Sequence, residues 1–218
     1  FGPNNLPFAF NSIAGVDFVA AVAAGNPVIG TAPTSHPGTS RLLAELAFEA
    51  AKAAGLPRAW VQMIYRTKPD VGFRLVSDRR VAATGFTGSK SAGLQLKAAA
   101  EKAGNPIYLE MSSVNPIFVL PGALRERGAA IAKDLFDSCA LGAGQFCTRP
   151  GLTIVQDSPD AQAFLREAQG HFAGATPGTL LGIAGRDAIG QALKVLTAHG
   201  AEILAGGQAI DGGRVSCA

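Results

Sequence analysis

Cys147 stands in "LGAGQFCTRPG" (residues 141–151), between Phe146 and Thr148, with glycines at 142, 144 and 151. A packing cysteine usually has bulky apolar neighbours, whereas these small ones leave room for a reactant at the sulfur. As a thiolate it would attack an electrophilic carbon, given a lowered pKa or a nearby base and donors for the developing oxyanion. The competing reading is a small buried hydrophobe, which is how a free cysteine commonly behaves. Cys139, eight residues earlier, suits that second reading.

Three other places offer chemistry. Glu110 closes the apolar run "IYLE", a costly position for a charge unless it is either solvated or put to use. In "TGFTGSKSAG" (84–93) a strand is expected to run into a glycine-rich turn and then a helix, with Gly85, Thr87, Gly88 and Ser89 at the junction. Backbone N–H groups at such a helix start suit a phosphate, although the spacing is not G-x-G-x-x-G and an ordinary strand–helix turn has the same composition. Asn5, in "GPNNLP", is an amide donor or a turn-stabilising residue.

The elements that must position these residues follow from pattern. The chain has 218 residues, 48% hydrophobic and 16% charged, enough for one large domain or two modest ones at about 150 residues per domain. Short apolar runs at 26–33, 59–65, 80–86, 106–111, 116–121 and 152–157 read as strands. Between them, Leu42, Leu46 and Ala50 share a helix face after a Thr39 or Ser40 cap, with Gly55 as the stop. Further helices are expected over about 90–103, from Leu124 to the glycines before Cys147, from about Pro159, and near 188–199. This alternation predicts an α/β fold with parallel sheet covered on both faces. Ser112, Ser113, Asn115 and Pro116 interrupt the pattern and divide it into 1–111 and 112–218.

Composition narrows the function. A net charge of +3 with scattered Lys and Arg argues against nucleic acid or an anionic membrane as partner. The apolar stretch Ile13–Ala32 contains Asp17, Asn26 and Pro27, so it fails as a membrane span. Cys139, Cys147 and Cys217 are odd in number, with no C-x-x-C pair and no histidine at ligand spacing. Neither a disulfide framework nor a metal site is expected, and a reducing cytoplasm fits. The chain opens on Phe1 within a turn-rich stretch, as an internal piece of a longer polypeptide would.

The order of the features resembles the aldehyde dehydrogenase superfamily over nearly the whole chain: an Asn before a Pro, "GFTGS", a Glu closing a strand, then "GQFCT". "FGPNNLPFAFN", "SHPGTS", "GFTGSKSAGLQL", "EMSSVNPIFVLPGAL" and "GQFCTRPGL" are most similar to the α-ketoglutaric semialdehyde dehydrogenases. The resemblance implies a cofactor-binding domain over 1–111 followed by part of a catalytic domain over 112–218. It also implies Cys147 as nucleophile, Asn5 and the Cys147 N–H as oxyanion donors, and Glu110 as the base that activates water. NAD or NADP would accept the electrons, held by Thr31, Thr34, Gly85, Thr87, Gly88 and Ser89, and the product would be 2-oxoglutarate. The glycines beside Cys147 would then make room for nicotinamide and substrate.

The sequence departs from the family at two cofactor positions. Thr31 replaces a lysine that bonds the adenine ribose in most relatives, and Thr34 replaces a glutamate that disfavours a 2′-phosphate in many NAD-preferring ones. The resemblance also implies a longer family protein that assembles as a homo-oligomer. Rival readings are a catalytically silent relative and an enzyme that passes its thioester to coenzyme A. Arg149, beside the nucleophile, is either a partner for a substrate carboxylate or a solvated turn residue.

Overall fold

The computed structural model describes residues 13–210 and 216–217. The chain clusters into two compact units, Phe1–Ser112 and Ser113–Ala218. The first contains α1 (Val16–Ala23), β1 (Val28–Thr31), α2 (Pro37–Ala53), β2 (Val61–Ile64), α3 (Pro69–Val76), β3 (Thr84–Gly88), α4 (Lys90–Ala103) and β4 (Ile107–Met111). The second contains β5 (Pro116–Val119), α5 (Pro121–Ala140), a 3-10 turn (Leu141–Gly144), β6 (Leu152–Val155) and α6 (Pro159–Ala173). It ends with β7 (Gly178–Thr179), α7 (Ile183–Ala198), β8 (Ala209–Ile210) and β9 (Ser216–Cys217).

β1 pairs with β2, β3 with β4 and β5 with β6, each in parallel register with a helix in the connection. Parallel neighbours need such a crossover, so the α/β alternation expected from the sequence is what the backbone forms. β7, β9 and β8 add a small antiparallel sheet that the pattern did not foretell, and it did not foretell α1 or α3 either.

Local signals account for the helix ends. The Ser89 hydroxyl accepts from the Ala92 N–H at 3.3 Å, and Gly104 stops α4 in a left-handed conformation (φ 76°). Ser158 caps α6 in the same way through Ala161 at 3.1 Å, with Pro159 in the first turn. Each cap is worth about 1 kcal/mol.

Two cores hold these elements. In the first unit Val76, Phe86, Leu96 and Ala100 pack together with Phe73, Ile107 and Leu109, which seats α3 and α4 on β3 and β4. In the second, Val119, Leu124, Ala132, Ala161, Phe164 and Ala168 join β5, α5 and α6. Phe164 is almost fully enclosed, so its truncation to Ala would cost about 3–5 kcal/mol.

Three expectations need correction. α2 begins at Pro37, ahead of the expected Thr39 or Ser40 cap, and its half-buried face is Leu43, Ala44, Ala47, Phe48 and Ala51. Leu42, Leu46 and Ala50 are exposed, because an alanine-rich helix carries adjacent apolar stripes and spacing alone does not fix the phase. β3 covers 84–88 rather than 80–86. β4 and β5 are not covered on both faces among the described residues: β4 alternates, with Tyr108 71% exposed, and Phe118 on β5 is 67% exposed. Alternation of this kind marks a strand with one packed face. No helix among the described residues is long and apolar enough to cross a membrane.

Candidate active site

Gly85, Thr87 and Gly88 lie inside β3, not in a glycine-rich turn. The ladder with β4 continues to the pair Gly88–Met111, which satisfies backbone groups to the strand's last residue. Only Ser89 is left to join strand to helix. Ladder pairing sets Thr87 beside Glu110 and Gly85 beside Tyr108. Thr87 is buried, whereas Glu110 is exposed at the strand's carboxyl end.

Gly93, which the sequence did not single out, fixes how closely α4 approaches. A Cβ there would lie 2.8 Å from the Met111 sulfur and 3.1 Å from the Phe86 ring. The first turn of α4 therefore rests on the ends of β3 and β4. Its Ala92 and Gly93 N–H groups bond to the Ser89 hydroxyl and carbonyl. Those of Lys90 and Ser91 have no acceptor within the helix and point out of its positive end, beside the exposed Lys90 side chain.

Thr31 ends β1 opposite Ile64 and is half-buried, while Thr34 is exposed in the connection to α2. Asn5 lies outside the described residues.

Cys147 belongs to the second unit and is exposed. α5 brings the chain to it, and the reversal after the helix is tight. Gly142, Ala143 and Gly144 all have positive φ (60°, 57° and 70°). A Cβ on Gly142 would collide with the Phe146 ring, and one on Gly144 would meet the Cys139 carbonyl at 3.2 Å and the Arg149 side chain at 3.3 Å. A Cβ on Gly151 would sit 2.5 Å from the Val114 carbonyl. These glycines serve the loop's own folding.

The turn itself is closed by the Arg149 N–H donating to the Phe146 carbonyl at 3.2 Å. Two carboxamides tie it down. Asn115 donates from Nδ2 to the Cys147 carbonyl at 2.7 Å and to the Arg149 carbonyl at 2.9 Å. Gln145 donates to the Gly142 and Thr179 carbonyls and accepts from the Leu181 N–H at 2.8 Å. The sequence marked Asn115 only as a pattern break; its clue was that asparagine tolerates a left-handed backbone.

Cys139 differs from Cys147. It is half-buried, with its sulfur 3.6 Å from the Pro150 carbonyl. Burial pushes its thiol pKa up, against the opposing pull of the Arg149 charge and hydrogen bond. Arg149 thus lies over Gly144 and reaches Cys139. Among the described residues no three His, Cys, Asp or Glu gather as a metal site.

Comparison with known proteins adds ancestry to this geometry. The family described as "Aldehyde dehydrogenase family" matches residues 1–215. The chain belongs to that family. It is 44% identical over 166 residues to α-ketoglutaric semialdehyde dehydrogenase 2 of Azospirillum brasilense, covering 75% of this chain and 31% of that protein. The α-ketoglutaric semialdehyde dehydrogenase of Acinetobacter baylyi is 42% identical over 167 residues, again 31% of its length. The match thus spans under a third of either relative. Among solved structures, the NAD-dependent aldehyde dehydrogenase of Sinorhizobium meliloti superposes with a TM-score of 0.81 over 99% of this chain and 43% of its own, at 24% identity. That likeness establishes the aldehyde dehydrogenase fold.

Proposed function

We propose that this chain supplies the cofactor-seating and nucleophile segments of an NAD- or NADP-dependent aldehyde dehydrogenase acting on a semialdehyde, α-ketoglutaric semialdehyde first. The observation that carries the reading is an exposed cysteine on a turn whose carbonyls are already committed. The Phe146 carbonyl is held inside the turn by Arg149. Across a trans peptide the following N–H points the opposite way, so the Cys147 N–H faces outward as an oxyanion donor must.

The residues present fit a phosphate-bearing dinucleotide. The free amides of Lys90 and Ser91, the Lys90 cation and the close seat made by Gly93 form an anion-accepting helix end, and Thr31 and Thr34 are the residues that the family resemblance assigns to the ribose. The cofactor, when bound, supplies the electron acceptor for the oxidation.

This chain's own residues do the rest. The Cys147 sulfur adds to the aldehyde carbon, forming a C–S bond while the Cys147 N–H and the Asn5 amide take up the oxyanion. A bound NAD or NADP would supply the two-electron acceptor for this adduct, and Cys147 would then hold the acyl group as a thioester. Glu110 accepts a proton from water, whose oxygen bonds to the acyl carbon as the C–S bond breaks. The carboxylate leaves and the thiol is restored. An exposed carboxylate is accessible to such a water, which supports hydrolysis over transfer to coenzyme A. Incubation with α-ketoglutaric semialdehyde and NAD, followed by mass analysis of products, tests the reading. 2-Oxoglutarate supports it, and a product formed only when coenzyme A is present contradicts it.

A further inference from the structure

We propose that Asn115 is a positioning residue that sets the orientation of the nucleophile turn. This rests on Cys147 being the nucleophile. Asn115 has φ 48°, and only Ala143 shares positive φ with it among the described non-glycine residues. Asparagine is among the few residues that adopt this conformation at modest cost. Here the conformation has a use: both hydrogens of the side-chain amide reach across more than thirty residues to the Cys147 and Arg149 carbonyls. Next to it the Val114 carbonyl accepts from the Gly151 N–H at 2.9 Å. Three hydrogen bonds therefore join residues 114–115 to 147–151.

The geometry acts on the peptide that follows the nucleophile. With the Cys147 carbonyl drawn to Asn115, the Thr148 N–H of the same peptide points away from it. The Phe146 carbonyl is fixed within the turn by Arg149. Both peptides flanking Cys147 are thereby held, one by the turn and one by Asn115. Without the amide, the Cys147–Thr148 peptide can rotate, and the sulfur and the Cys147 N–H lose their common orientation toward the acyl carbon.

N115D keeps the shape without a donor, and N115G keeps access to the left-handed backbone without the amide. Single-turnover reduction of NAD by α-ketoglutaric semialdehyde, with the intact enzyme in excess, gives the acylation rate constant at saturation. Loss of folded protein changes the enzyme concentration and not that constant, so a purely structural role leaves it unmoved. Both variants are expected to slow acylation by about 100-fold, the scale of an ångström of misplacement, with the KM for NAD within about threefold of wild type. Acylation within about twofold of wild type in either variant overturns the proposal, and N115G keeps the test open if the charged variant does not fold. C147S separates the two readings: if it still reduces NAD, the nucleophile assignment fails first. If C147S is inactive and N115G is not slowed, only the role of Asn115 fails.

Discussion

Thr87 on β3 and Glu110 on β4 are register partners in a parallel ladder. The pair before them, Phe86 and Leu109, belongs to the core beneath α4. Successive side chains alternate between faces, so Thr87 and Glu110 share the face away from that core. The strand end that carries the expected base therefore adjoins the strand end that leads into the first turn of α4, where the anion seat is proposed. On that face Thr87 is buried and Glu110 is exposed, so the carboxylate is the member of the pair that solvent reaches.

Ser89 tests the α4 seat. Ser89→Asp keeps an N-cap of equal quality, so the thermal midpoint should hardly move, whereas Ser89→Ala should lose about 1 kcal/mol. The new carboxylate would stand where a phosphate is proposed, and the KM for NAD should rise about tenfold, equivalent to about 1.4 kcal/mol. An unchanged KM in a folded Ser89→Asp protein would remove the cofactor from this helix end.

Thiol labelling distinguishes the cysteines. Burial raises the pKa of Cys139, so less of it is thiolate at any given pH, and its labelling should increase only at more alkaline pH than for a free thiol. Cys147 is exposed and should react first with iodoacetamide at neutral pH. Peptide mapping that finds Cys139 modified earlier would reverse the assignment.

The proposed places of Thr31 and Thr34 at the cofactor make cofactor choice a test. Neither side chain carries a charge to repel a 2′-phosphate or a lysine to bind the ribose. The ratio of kcat/KM for NAD to that for NADP should be small. A preference above roughly 1,000-fold, about 4 kcal/mol, contradicts this reading.

How much the sequence revealed depended on how local the signal was. α4 was legible to its ends because Ser89 and Gly104 are strong start and stop residues. α2 was placed but turned about its axis, since alanine-rich stripes leave the buried face to tertiary contacts. The strand was expected to end at Phe86 and give way to a glycine-rich turn, and pairing with β4 carries it on through Thr87 and Gly88. Cys147 stood out through its small neighbours, yet the use of Gly142, Gly144 and Gly151 came from contacts with Phe146, Arg149 and Val114. Asn115 reaches Cys147 across a separation that no local pattern encodes.

The central claim is a covalent acyl-enzyme on Cys147, released by water that Glu110 activates. Glu110→Gln preserves shape but accepts no proton, so thioester hydrolysis should slow by about 100- to 10,000-fold, the contribution of a positioned general base. Intact-protein mass measurement of this variant, quenched after mixing with α-ketoglutaric semialdehyde and NAD, reads the claim directly. The account predicts one acyl group per active site, mapped to Cys147, together with a burst of reduced cofactor and slow turnover. No adduct, an adduct on another residue, or turnover within a few-fold of wild type would contradict it.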